Sequence, residues 1–193
     1  MLKTFQQIGS DLFRAGLNNS HSGNISVRLG DRIMITRRGS MLGHLGEGDL
    51  IETGLEKNDG NTALASTEIG VHRAIYQRTP ALAVVHAHPP HAVALSLLGD
   101  EIIPVDAEGK YLLKRVPLVY AEKTIGSVEV ERLLPEVLLN YKIAVVIGHG
   151  SFAAGRTLEE AYQLTTSLEH SCRIIYLSRM LGFRPGNISG RPE

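Results

Sequence analysis

The sequence predicts a single α/β domain in which helices flank a central, mostly antiparallel or mixed sheet. Three observations lead there. The chain has 193 residues, a length at which one hydrophobic core still suffices. Strand-length apolar runs separated by Gly, Asn and Asp turns crowd its middle, while the 3.6-residue periodicity of amphipathic helices marks both ends and the intervals between strands. No internal repeat, linker or low-complexity block divides it, so residues 1–183 are expected to form the domain and residues 184–193 a loose tail.

Leu2, Phe5, Ile8, Leu12 and Phe13 recur at helical spacing, and Gly16 caps the helix they define. Asn24 to Arg28 and Arg32 to Thr36 read as a β-hairpin, because Gly30 between them can take positive φ. Leu50 to Thr53 is a third strand, followed by the turn cluster Lys57 to Asn61. A second helix starts at Ser66-Thr67-Glu68, where a hydroxyl can cap free amides, and runs through Ile69, His72, Ile75 and Tyr76 towards Pro80. Ala81 to His86 is an apolar strand, and Pro89-Pro90 opens a third helix through Leu98. Ile102 to Val105 and Val116 to Val119 read as a strand pair, and Val128, Leu133, Leu134, Val137 and Leu138 as a helix. Ile143 to Ile147 is a buried strand leading into Gly148-His149-Gly150, with Phe152 to Ala154 returning beside it. The last helix has a capping-box spacing at Thr157 and Glu160 and turns Leu164, Leu168, Cys172, Ile175 and Leu181 inward.

Composition narrows the function. Lys+Arg 20 against Asp+Glu 20 leaves no net charge to hold a phosphate backbone, so nucleic acid is excluded as a main partner. No apolar run reaches the ~18 residues of a membrane span. The lone Cys172 cannot form an intramolecular disulfide, and Met1 to Gly16 has no charged-then-apolar leader, which together predict a cytoplasmic protein. Without tryptophan and with 20 glycines, the chain suits a site of backbone amides and small polar side chains rather than an aromatic pocket.

His86-Ala87-His88 ends an apolar strand, where side chains two apart point the same way and two imidazoles can meet one ion. A chain with 8 histidines can produce one such pair by chance. His149, set between two glycines at another strand end, can reach across as a third ligand, and three imidazoles leave open positions for catalysis. His91 is an alternative ligand or an entrance residue; His21, His44, His72 and His170 have no paired spacing. Glu68, at a helix mouth behind two hydroxyls, is an ordinary first-turn glutamate or, beside a metal, a general base. Ser22-Gly23-Asn24, Thr36 to Ser40 and Ser66-Thr67 are candidate anion cradles. Arg37 and Arg38 suit a phosphate or carboxylate, or else form a solvated strand end.

Taken in order, Gly23-Asn24-Ile25-Ser26, the Thr36 to Gly39 turn, Ser66-Thr67-Glu68, His86-Ala87-His88-Pro89 and His149-Gly150 resemble the class II aldolase/adducin family, over roughly Phe5 to Leu181. The resemblance implies a divalent ion on His86, His88 and His149, Zn2+ foremost with Mn2+ or Co2+ as alternatives, and Glu68 as acid/base residue. It implies phosphate binding by Asn24, Gly39, Ser66 and Thr67, with Arg38 added by this chain. It also implies a homotetramer with active sites between subunits. The family's usual Thr-Pro-Ser/Thr-Gly is replaced by Thr36-Arg37-Arg38-Gly39, and His21 stands where a small hydroxyl residue is common. The aromatic residues of the loop after the third helix are matched only by Tyr111, a candidate proton donor.

The expected reaction is cleavage of a fuculose- or ribulose-phosphate-like ketose 1-phosphate to dihydroxyacetone phosphate and an aldehyde, through a metal-stabilised enediolate and without a lysine Schiff base. The alternatives are dehydration of methylthioribulose 1-phosphate, another sugar-acid lyase or decarboxylase reaction, and a metal-free adducin-like binding module, which the intact histidine set disfavours. An epimerase would be expected to carry aspartate in place of Glu68.

Overall fold

The computed structural model describes residues 1–182, so the tail expected at 184–193 lies outside the described residues. Eight strands form one sheet: β1 (Asn24–Leu29), β2 (Arg32–Thr36), β3 (Leu50–Gly54), β4 (Ala83–Ala87), β5 (Glu101–Ile102), β6 (Val116–Val119), β7 (Ile143–Val146) and β8 (Gly150–Gly155). Their order is β3-β2-β1-β4-β8-β7-β6-β5. Neighbours run antiparallel except β6 and β7, so the sheet is mixed, as expected. The helices are α1 (Leu2–Arg14), α2 (Ile69–Arg78), α3 (Pro90–Ser96), α4 (Ala107–Leu112), α5 (Val128–Leu138) and α6 (Leu158–Met180).

Both faces of the sheet are covered. On one, Phe5, Leu12, Ala92, Leu164 and Leu168 from α1, α3 and α6 pack on Ile25, Val85 and Val145. On the other, Val71, Ile75, Val130 and Leu134 from α2 and α5 pack on Ile33, Val84, Ala144 and Phe152. A strand buried on both faces needs apolar residues at every position, which is why β4 and β7 read as unbroken apolar runs. Full burial of a large aliphatic or aromatic side chain contributes roughly 1.5–3 kcal/mol, so Phe5, Leu12, Ile75 and Leu134 anchor both layers. The period-2 alternation has a functional consequence. Val85 and Ala87 face the α1/α6 side, and His86 faces the α2/α5 side together with Asn24, its cross-strand partner on β1.

The local signals work as their chemistry dictates. Gly16 takes φ +70° after α1, and the amides of Gly16 and Leu17 donate to the carbonyls of Phe13 and Leu12, closing the helix with left-handed glycine. Gly30 turns the β1–β2 hairpin at φ +65°. Four details differ from the sequence reading. The strand expected at Ile102 to Val105 is reduced to Glu101–Ile102, a short edge before Pro104. The unforeseen α4 follows, capped by Asp106, whose carboxylate accepts from the Gly109 amide at 2.8 Å. Thr157 accepts from the Glu160 amide, but the Glu160 carboxylate turns to Lys142 and the Arg156 amide, so only half of the capping box forms. Leu181 lies beyond α6 and is 89% exposed rather than inward. No helix among the described residues is long and apolar enough to cross a membrane.

Candidate metal centre and active site

β4 and β8 deliver the histidines. His86 and His88 leave the end of β4, while His149 sits in the tight turn between β7 and β8. The three ring centroids form a near-equilateral triangle with sides of 4.8, 4.8 and 5.0 Å. One candidate ligand atom from each lies within 4.8 Å of the others. Glycine makes this convergence possible: a Cβ on Gly150 would stand 2.4 Å from the Ala87 carbonyl oxygen and 2.8 Å from His88 Cδ2. Gly148 supplies the turn with φ +69°.

The donor set fits a divalent cation. His86 Nδ1 donates to the Ser151 carbonyl at 3.0 Å, which leaves its Nε2 lone pair bare. His88 Nε2 lies 3.0 Å from it, so the two ring nitrogens converge on one point. Burial pushes the pKa of His86 well below its ordinary value and that of His88 down to about 4, each reinforced by a neighbouring imidazole. Neutral imidazole is the form that coordinates metal. His91 is not part of this set. Its Nδ1 pairs with Glu169 Oε1 at 2.6 Å, and the same carboxylate accepts the His91 and Ala92 amides at the start of α3.

Glu68 adjoins the histidines. The second helix begins at Ile69, later than the sequence implied, and Glu68 occupies its N-cap position without capping it. Instead Oε1 accepts the Gly126 amide at 2.9 Å, and Oε2 is buried with no partner among the described residues. A helix N-terminus and an amide donor favour the carboxylate, but burial outweighs them and Glu131 adds like charge, so the pKa rises to about 7. A carboxyl poised near neutral pH with one free oxygen has the character of a general acid/base.

The Gly126 loop therefore fixes one oxygen of the Glu68 carboxyl. Gly126 has φ +52°, and a Cβ there would lie 2.8 Å from the Thr67 carbonyl oxygen. Gly126→Ala is expected to cost about 1–2 kcal/mol of stability, read as a lower urea midpoint, because a left-handed residue and a backbone contact are both disturbed. A midpoint equal to that of the unsubstituted protein would show that the loop relaxes freely.

A single cavity of about 310 Å3 gathers Asn24, Arg38, Gly39, Ser66, Thr67, Glu68, His86, His88 and His149. Nine of the ten residues singled out from the sequence thus meet in one place. Tyr111 does not: it lies on α4, is 82% exposed, and is absent from the lining. The two arginines both border this cavity but differ in their partners. Arg37 is a strand-end residue, its guanidinium bonded to Asp49 Oδ1 at 2.9 and 3.1 Å. No carboxylate pairs with Arg38 among the described residues, and its side chain is exposed on the cavity wall. The anion turn is stitched to the Ser66 segment by Arg38 N–H donating to the Leu64 carbonyl and Ser66 N–H donating to that of Thr36.

His72, which has no paired spacing in the sequence, is a core residue with no exposure. Sequence reasoning missed that His72 Nε2 bonds Asn24 Oδ1 at 2.6 Å and so touches the cavity wall from behind. Its spacing four residues after Glu68 on one helix was the available signal. Burial lowers the His72 pKa to about 3. The unfolded chain takes up a proton near pH 6.5 that the folded one refuses until about pH 3, so stability is full above pH 6.5 and falls as the pH drops. The expected slope from His72 alone is about 1.4 kcal/mol per pH unit across that window. Urea midpoints at successive pH values should decline less steeply for His72→Gln, and equal slopes would remove His72 as the cause.

Fold and site together define a mixed α/β protein whose strand ends present a metal-competent histidine triad to a polar cavity. Residues 3–176 match the class II aldolase and adducin N-terminal domain. The chain belongs to the class II aldolase and adducin family. It is similar in structure to an L-fuculose-1-phosphate aldolase from Thermus thermophilus, with TM-score 0.89 and 38% identity over 96% of this chain and 97% of that one. It is 31% identical to an L-fuculose phosphate aldolase from Methanocaldococcus jannaschii, over 93% of this chain and 97% of the relative. It is 30% identical to a 3-oxo-tetronate 4-phosphate decarboxylase from Haemophilus influenzae, over 88% and 84%. These relatives are named as lyases, and with its histidine triad intact this chain is an enzyme of the same family.

Proposed function

We propose that the chain is a metal-dependent aldolase that reversibly cleaves a ketose 1-phosphate to dihydroxyacetone phosphate and an aldehyde. The observation that carries this reading is the shared cavity: three neutral imidazoles, a buried carboxyl with a free oxygen, and an anion cradle line the same 310 Å3. His86, His88 and His149 would hold the ion, Zn2+ being the best match to three nitrogen ligands with a position left open. When bound, the ion supplies the Lewis acidity that polarises a substrate carbonyl and stabilises an enediolate. Asn24, Gly39, Ser66 and Thr67 hold the phosphate, and Arg38 adds a charged donor beside it. Glu68 moves a proton at the substrate carbon with Oε2, while the Gly126 amide keeps Oε1 fixed.

Tyr111, remote from the cavity of its own chain, would serve as proton donor only in a site completed by another copy. The exposed apolar side chains Leu97, Leu98, Ile125 and Val128 support the homotetramer with intersubunit sites that this requires. A protein of this kind acts in the cytoplasm on small phosphorylated sugars.

Release of dihydroxyacetone phosphate from ribulose, fuculose, rhamnulose and methylthioribulose 1-phosphates by the zinc-, cobalt- or manganese-loaded protein tests the reading. Consumption of a substrate without triose phosphate would assign dehydration instead, and carbon dioxide from a 3-oxo acid phosphate would assign decarboxylation.

A further inference from the structure

Behind Asn24 runs a buried chain of polar groups that none of the cavity chemistry uses. Tyr76 Oη lies 2.7 Å from Ser26 Oγ, Ser26 Oγ lies 2.6 Å from His72 Nδ1, and His72 Nε2 lies 2.6 Å from Asn24 Oδ1. Tyr76, Ser26 and His72 are at most 1% exposed and Asn24 is 6% exposed, so water does not enter the chain. β1 and α2 hold it together: Asn24 and Ser26 sit two apart on one strand face, and His72 and Tyr76 sit one turn apart on the facing helix.

The chain has a direction. The amide oxygen Oδ1 of Asn24 can only accept, so the hydrogen between it and His72 sits on His72 Nε2. The Nδ1 of the neutral ring then accepts the Ser26 hydroxyl, which leaves Ser26 Oγ to accept the Tyr76 proton. A neutral ring that accepts at Nδ1 carries its hydrogen on Nε2, and this hydrogen goes to Asn24 Oδ1. Full burial keeps the ring neutral. With Oδ1 occupied from behind, the Nδ2 donors of Asn24 are the ones left for the cavity it lines.

We infer that His72 is a positioning residue that locks the Asn24 side-chain amide with Nδ2 towards the cavity, making Asn24 a dedicated donor to the substrate's anionic group. The inference rests on the reading of this cavity as a phosphate site. An unlocked amide would present its oxygen to the anion in one of its two orientations, and binding would have to select the other. A donor fixed before binding avoids that selection.

The test uses the full chain saturated with zinc and titrated with inorganic phosphate by calorimetry, with zinc retention after dialysis measured in parallel. His72→Leu removes the donor at similar volume and is expected to weaken phosphate binding about tenfold while zinc retention is unchanged. His72→Gln restores an amide donor and is expected to recover most of that loss. In an Asn24→Ala background, His72→Leu is expected to have no further effect, since the two residues act through one bond. If His72→Leu does not fold, Ser26→Ala, which frees the tautomer without touching Asn24, is expected to weaken phosphate binding several-fold. Nitrogen-15 spectra of the unsubstituted protein are expected to show His72 protonated at Nε2. Unchanged phosphate binding in both His72→Leu and Ser26→Ala, an undiminished effect in the Asn24→Ala background, or a proton on Nδ1 would each overturn the inference. If the unsubstituted protein binds no phosphate at all, the phosphate reading of the cavity fails and this inference with it, an outcome separate from equal binding by protein and variant.

Discussion

His86→Ala is expected to lower kcat/KM by at least about 10³-fold and to leave the purified protein without stoichiometric metal after dialysis. Of the three candidate ligands, His86 is the one whose loss the site can least absorb. It is the deepest of the three, its Nδ1 is anchored on the Ser151 carbonyl, and its ring stacks on Phe152 with centroids 4.0 Å apart. Two half-buried imidazoles remain without it, on segments that converge only where His86 stands. Loss of fold would also abolish activity, so the urea midpoint must be measured with it. A truncation at such a buried position typically costs a few kcal/mol, which a two-layer core survives. A folded His86→Ala that retains metal and turnover would place the reaction elsewhere in the molecule.

Glu68→Gln is expected to reduce kcat by about 10²–10⁴-fold with metal content unchanged and KM little moved. Glutamine keeps the shape and can still accept the Gly126 amide, so the loop has no reason to shift. What disappears is the basic oxygen, the one that the fold buries and leaves unpartnered. The KM-against-kcat split matters here. A residue that only braced the cavity would alter substrate binding as much as turnover, whereas a proton carrier acts on turnover alone. Wild-type turnover by Glu68→Gln in the metal-loaded protein would sink the assignment.

Much of the site was legible because its signals are local. His86 and His88 are two apart on a strand, His149 is flanked by glycines, and Ser66, Thr67 and Glu68 are consecutive. Spacing alone fixes how such residues point. The unread parts depend on contacts between distant positions. His72 meets Ser26 and Asn24 across 46 and 48 residues, and no window of sequence holds both partners. The Gly126 loop reaches Glu68 across 58 residues, so its amide's bond to that carboxyl left no trace beyond one glycine among many. The twin arginines are identical as text. Both border the cavity, and only the proximity of Asp49 ties up the Arg37 guanidinium and leaves that of Arg38 without a carboxylate. In the fold, the strands were legible as apolar runs and hairpins, but not the pairing of β1 with β4 or of β4 with β8, which joins distant segments; α4 is too short for periodicity to reveal and is announced only by Asp106.

The placement of the triad has a consequence for the unfolded chain. His88 and His149 belong to segments far apart in sequence that become neighbours only when β4 and β8 pair. An ion gripped by both closes the long intervening stretch into a ring and removes much of the disorder that stretch enjoys when unfolded, as a disulfide does. Unlike a disulfide, the clasp opens by dissociation rather than by reduction, and its strength follows the free ion concentration. A chain with one cysteine, buried in the α1/α6 core and unable to pair, can in this way carry a reversible cross-link.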